Sequence, residues 1–102
     1  MSTQILTYEP ARAALSGRLL AARAEALFTS DLSARCEYTQ IEVAAAIRHA
    51  IGAHRGVNGC AGEVAAAFGE HPETAARRMQ WARAVIEGIT ASAGRQARQQ
   101  VS

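Results

Sequence analysis

The nineteen residues Ala61-Gly62-Glu63-Val64-Ala65-Ala66-Ala67-Phe68-Gly69-Glu70-His71-Pro72-Glu73-Thr74-Ala75-Ala76-Arg77-Arg78-Met79 decide how this chain folds. Alanine, the best intrinsic helix former, crowds both sides of Gly69. Gly69 suits the left-handed conformation that ends a helix, because it has no Cβ to clash. Pro72 is tolerated only in a first helical turn, and Glu73 beside it complements the positive end of the helix dipole. The spacing predicts a short third helix over about 59–68, capped by Asn58. It predicts a fourth from Pro72 to about Glu87, stopped by Gly88. Cys60, Val64, Ala65, Ala67 and Phe68 supply the apolar side of the former; Ala75, Met79, Ala82 and Ile86 recur at helical spacing along the latter. With three or four residues between them around Gly69, these helices cross instead of running antiparallel.

Upstream, Thr39-Gln40-Ile41-Glu42 spells a capping box: the Thr39 hydroxyl accepts from the Glu42 amide, and the Glu42 carboxylate accepts from the Thr39 amide. Tyr38 and Val43 flank it as a hydrophobic staple. Val43, Ile47, Ala50 and Ile51 form the buried stripe of this second helix, with Gly56 as the left-handed residue that ends it. A first helix is expected over about Pro10 to Phe28, with Leu15, Leu19, Ala22 and Ala26 on one face, widened by Leu20 and Leu27. Ala13, Ala14, Ala21 and Ala24 would let another helix approach closely. Thr29 to Ser33 reads as a stop and turn. No segment has β-branched residues at period two, so no strand is expected. The fold class is therefore all-α with about four helices: a crossing unit over 40–88 plus a long N-terminal helix over 10–28. Residues 1–88 make one helical domain, and the polar residues 89–102 make a tail expected to fray.

The quoted segment resembles a helix-turn-helix. That family places a small residue four before the turn glycine (here Ala65) and a bulky apolar residue just before it (Phe68). A Thr and a small residue follow at five and six (Thr74, Ala75), and an apolar residue at ten (Met79). Directly after the glycine, where the family has an apolar residue, this chain has Glu70. The resemblance implies a tri-helical DNA-binding unit whose last helix enters the major groove with His71, Glu73, Ala76, Arg77 and Gln80 outward. In that reading Arg77 reads guanine and Gln80 adenine, while Arg78, Arg83 and Arg55 hold phosphates.

Charge tempers that expectation. The chain has 102 residues, 24 of them Ala, with 11 Arg, no Lys and a net charge of +2. Residues 58–88 carry Arg77, Arg78 and Arg83 against four glutamates, so the DNA-facing segment is slightly acidic. Phosphate neutralisation supplies much of the affinity for DNA. A dimer would add Arg95 and Arg98 from two tails. Arginine without lysine, amid abundant alanine, matches a GC-rich bacterial genome.

Other classes find less support. No apolar run reaches the roughly 20 residues of a membrane helix, and no export signal precedes the domain, so a cytoplasmic protein with reduced Cys36 and Cys60 is expected. The cysteines and His49, His54 and His71 lack metal-site spacing, so no metal or cofactor is expected. No phosphate loop and no histidine–carboxylate pairing suggests an enzyme. Trp81 reads as a packing residue beside the core or as an interface anchor. Together with Leu15, Leu19 and Ala22, it makes a candidate homodimer interface. Two functions follow: a DNA-binding transcriptional regulator, or a non-enzymatic helical module that binds another protein, alone or as a homodimer.

Overall fold

A computed structural model describes the backbone of residues 2–101 and the side chains of 16–96 and of 99. The fold is all-α, with four helices: α1 (Ser2–Thr29), α2 (Gln40–Ala53), α3 (Val57–Glu70) and α4 (Pro72–Val101). No strand occurs among the described residues. α1 is the hub, packing against each of the other three, and most closely against α4. The molecule is elongated, 50 × 30 × 25 Å, because α4 alone runs for 30 residues.

The capping box forms as its sequence requires. The Thr39 amide donates to Glu42 Oε1 at 2.8 Å and the Glu42 amide donates to the Thr39 hydroxyl at 3.1 Å. Tyr38 packs on the cluster that contains Val43, closing the staple, and its hydroxyl both accepts from the Ser33 amide and donates to the Ser33 carbonyl. The stop after α1 is built from Thr29 and Ser30, whose hydroxyls donate to the carbonyls of Ala26 and Leu27 at 2.8 and 2.6 Å.

Several boundaries differ from expectation, each for a local reason. α3 runs through Gly69, whose φ is not positive; the positive-φ residues are Arg55 and Gly56. What ends α3 is Pro72: its ring disfavours a helical conformation at the preceding residue, and His71 is extended, at φ −140° and ψ 72°. The crossing therefore turns on the single residue His71, and the left-handed glycine turn expected at Gly69 is not formed. That turn occurs instead between α2 and α3. Gly56 N–H donates to Ile51 O at 2.7 Å and Arg55 N–H to Gly52 O at 3.4 Å, a Schellman arrangement with Arg55 (φ 63°) in the position that glycine usually takes. Gly56, at φ 106°, then serves as N-cap and leads straight into the next helix, so Asn58 sits inside α3 and does not cap it. Gly59 is required for another reason. A Cβ there would run into the His54 carbonyl, which α3 meets at its first turn.

α4 passes Gly88, and residues 89–101 continue the helix. A helical glycine costs only about 1 kcal/mol, and the core contacts of Ile86 and Ile89 straddle it. α1 starts at Ser2, eight residues before Pro10, whose ring removes one helical hydrogen bond while keeping a helical φ.

The core is built on small residues. Ala24, Leu27, Val43, Ala82 and Ile86 form one cluster, with Leu20, Phe28, Met79 and Trp81 against it; Ala26, Ala50 and Cys60 form a second. α1 thus buries two sides, Ala24 and Leu27 toward α4 and α2, and Ala26 toward α2 and α3. This arrangement displaces the expected stripe: Leu19 is 65% exposed and Ala22 only half-buried, while the side chain of Leu15 lies outside the described ones. The stripes of α2 and α4 match expectation, with Val43, Ala50, Ala75, Ala82 and Ile86 buried and Ile47, Ile51 and Met79 half-buried. α2, α3 and α4 do not form a tri-helical core of their own, because α1 stands among them and α2 meets α3 chiefly at the turn.

Candidate functional site

α4 carries most of the residues that the helix-turn-helix resemblance singled out, and His71 sits at the junction just before it. His71, Glu73, Arg77, Gln80 and Arg83 are all exposed. They leave an open face that mixes two arginines with Glu73, and with Glu87 further along, so it has no strong field of either sign. Arg78 is turned the other way. Its Nε donates to Phe28 O at 3.0 Å and its Nη2 to Ser30 O at 2.9 Å, and its guanidinium carbon lies 4.4 Å from the Trp81 ring centroid. The carbonyls at the end of α1 have no helical partner, and Arg78 supplies one from a neighbouring helix. Burial pulls the Arg78 guanidinium below its ordinary pKa, and the nearby Tyr38 partly offsets that. With two of its donors engaged at the end of α1, Arg78 is a structural tie and is not freely available as a phosphate contact. Arg55 is exposed at the α2–α3 turn.

Trp81 is half-buried. It stacks on Arg78 and lines a shallow groove of about 570 Å³ between the 30–39 loop and α4, beside Cys36, Tyr38 and Val85. Among the described residues none of α1 lines that groove, Leu19 included, so the groove does not join Trp81 to Leu19. At the end of α1, beside Arg78, Phe28 and Phe68 stack with centroids 6.3 Å apart and planes 19° from parallel. Phe68 stays 37% exposed.

A second groove, of about 300 Å³, lies between α2 and α4 and was not foreseen from the sequence. Val43, Ile47, Ile86 and Ile89 make its floor, and Arg23, Arg48, Gln40 and Ala44 complete its lining. Ile41, on the outer side of α2, is 80% exposed, and Ala44 and Ala45 beside it are exposed too. The signal for this surface was present in Ile41, an isoleucine off the Val43–Ile47–Ala50 stripe. The arginine from α1 could be placed here only once the packing of α1 was known.

The chain matches no family model, no curated protein and no solved structure. Its chemistry is therefore read from these surfaces alone. Among the described residues no three His, Cys, Asp or Glu side chains cluster in a way that could hold a metal ion, and no helix is long and apolar enough to cross a membrane. Cys60 is buried, with its sulfur 3.7 Å from both the Thr29 hydroxyl and the Ala50 carbonyl; Cys36 is exposed and unpaired.

Proposed function

We propose that this protein is a non-enzymatic helical module that works by binding another protein. The observation that carries this reading is the groove floored by Val43, Ile47, Ile86 and Ile89, with the exposed Ala44 in its lining and Ile41, 80% exposed, three residues before Ala44 on α2. Single exposed apolar side chains are ordinary on monomers, whereas a contiguous patch beside a concave floor marks an interaction site. The test is a panel of labelled amphipathic helical peptides, acidic, neutral and basic, titrated by fluorescence anisotropy, with sedimentation velocity to follow self-association. Saturable binding of a peptide, or a reversible dimer, is the expected result. Failure of both would overturn the reading.

A DNA-binding regulator is the second reading, favoured by the exposure of Glu73, Arg77, Gln80 and Arg83 along one helix, with His71 exposed just before it. The loss of Arg78 to the end of α1 and the missing turn at Gly69 weigh against it. Titration of a random duplex at about 50 and about 200 mM salt decides, because the nonspecific electrostatic term is strongest at low salt. Binding that is present at low salt, falls steeply with salt and is weakened by Arg83→Ala would favour this reading. Undetectable binding at low salt would remove it.

A further inference from the structure

Resting on the protein-binding reading, we infer that the groove between α2 and α4 seats the apolar face of an acidic amphipathic helix from a partner protein. The floor is a row of branched aliphatic side chains: Val43 and Ile86 are buried beneath it, and Ile47 and Ile89 are half-buried in its walls. Such a floor accepts leucine- or phenylalanine-sized anchors spaced at i, i+3/i+4 and i+7, the pattern by which an amphipathic helix lies in a groove.

The charge around the floor has one sign. Arg23 enters from α1 and Arg48 from α2, both exposed, and among the described residues no acidic one lines the groove. The carboxylate of α2 that could have neutralised them, Glu42, is folded back on the Thr39 amide at 2.8 Å and committed to the helix cap. Two exposed guanidiniums flanking an apolar floor fit carboxylates flanking an apolar stripe, because guanidinium takes carboxylate through paired hydrogen bonds. Ile41 and Ala44 extend the surface along α2, giving a partner helix more length than the groove alone. A basic partner would set like charges against Arg23 and Arg48, which is how such a site rejects the wrong sequence.

The test uses the full chain and a fluorescein-labelled helical peptide of 18 residues, with leucine at i, i+3/i+4 and i+7 positions and glutamate on both flanks. A second peptide has every glutamate replaced by lysine. The expected result is saturable binding of the acidic peptide, at least about tenfold weaker binding of the lysine peptide, and a loss of about tenfold or more in the double variant Arg23→Glu/Arg48→Glu. Ala44→Glu, at an exposed groove position, should weaken binding similarly while leaving the far-ultraviolet circular dichroism and the melting curve unchanged. Amide shift mapping should centre on Ala44, Arg48 and Ile89.

Four results would overturn the inference. Acidic peptide that binds equally to the double variant, or that shifts amides elsewhere, refutes the groove while leaving a protein-binding module standing. Binding only of neutral or basic peptides, or self-association without peptide binding, does the same. Arginine-dependent binding to vesicles of phosphatidylglycerol in phosphatidylcholine, with no peptide binding, would assign the groove to a lipid surface instead. If no peptide binds and the chain does not self-associate, both the groove and the module reading fall.

Discussion

Gly69→Ala separates two accounts of the α3–α4 junction, because they predict opposite signs. In the helix-turn-helix pattern Gly69 is left-handed, and an alanine forced there would cost about 1–2 kcal/mol. In the structure Gly69 is helical, and a Cβ built on it meets nothing within 4 Å. Alanine is better than glycine inside a helix by about 0.5–1 kcal/mol. Gly69 is the penultimate residue of α3, where helical conformation is less strictly held, so the lower figure applies. Gly62, in the interior of the same helix and equally open, should give the upper one. The assay is urea unfolding followed by circular dichroism at 222 nm. With a slope of about 1.2 kcal/mol per molar urea, the midpoint should rise by about 0.4 M for Gly69→Ala and about 0.8 M for Gly62→Ala. A fall in the Gly69→Ala midpoint, with Gly62→Ala still stabilising, would refute the helical assignment at Gly69 and restore the left-handed turn.

Three further outcomes follow from the geometry. Arg78→Ala should destabilise by about 2–3 kcal/mol, since it removes two charge-assisted hydrogen bonds and a cation–π contact, whereas Arg77→Ala at an exposed site should stay within about 0.5 kcal/mol; equal losses in urea titrations would contradict the tie. Arg55→Gly should stabilise by about 1 kcal/mol by relieving the left-handed arginine, with Arg55→Ala nearly neutral as the control. The Thr39 amide, with the Thr39 hydroxyl adding to it, holds the Glu42 carboxyl below the ordinary glutamate range. A carboxyl whose folded pKa is depressed contributes stability that is present above its unfolded pKa and lost as pH falls through its folded pKa. The urea-midpoint difference between the native chain and Glu42→Gln should therefore shrink between about pH 6 and about pH 3, around the ordinary glutamate value of about 4.3, and a constant difference would disprove the linkage.

What could be read from the sequence was what local chemistry decides. The capping box at Thr39 and Glu42 needs only four residues, and the staple and stop beside it need little more. The stripes of α2 and α4 follow from helical period alone. Two kinds of feature were not legible. One is competition between adjacent breakers: Gly69 and Pro72 both end helices, and only the backbone restriction that proline places on His71 settles which prevails. The other is non-local. The face of α1 that is buried depends on three helices converging on it, which draws Ala24 and Leu27 inward and leaves Leu19 outside. Arg78 belongs to the same class, because the acceptors that claim it are some fifty residues away in sequence.

The position of Arg78 links the fold to the choice between functions. A long helix that reads DNA needs its arginines free, and α4 spends one of its three early arginines on the end of α1. That tie fixes α4 against the hub helix at its second turn and sets Trp81 under the guanidinium. Beyond that tie, Ile86 and Ile89 are held against α1 and α2, and they form the wall of the arginine-flanked groove. The residue that weakens the nucleic-acid reading is thus part of what builds the apolar site. Loosening the tie should therefore impair peptide binding at a groove that Arg78 itself does not line, without changing the preference for an acidic over a basic peptide.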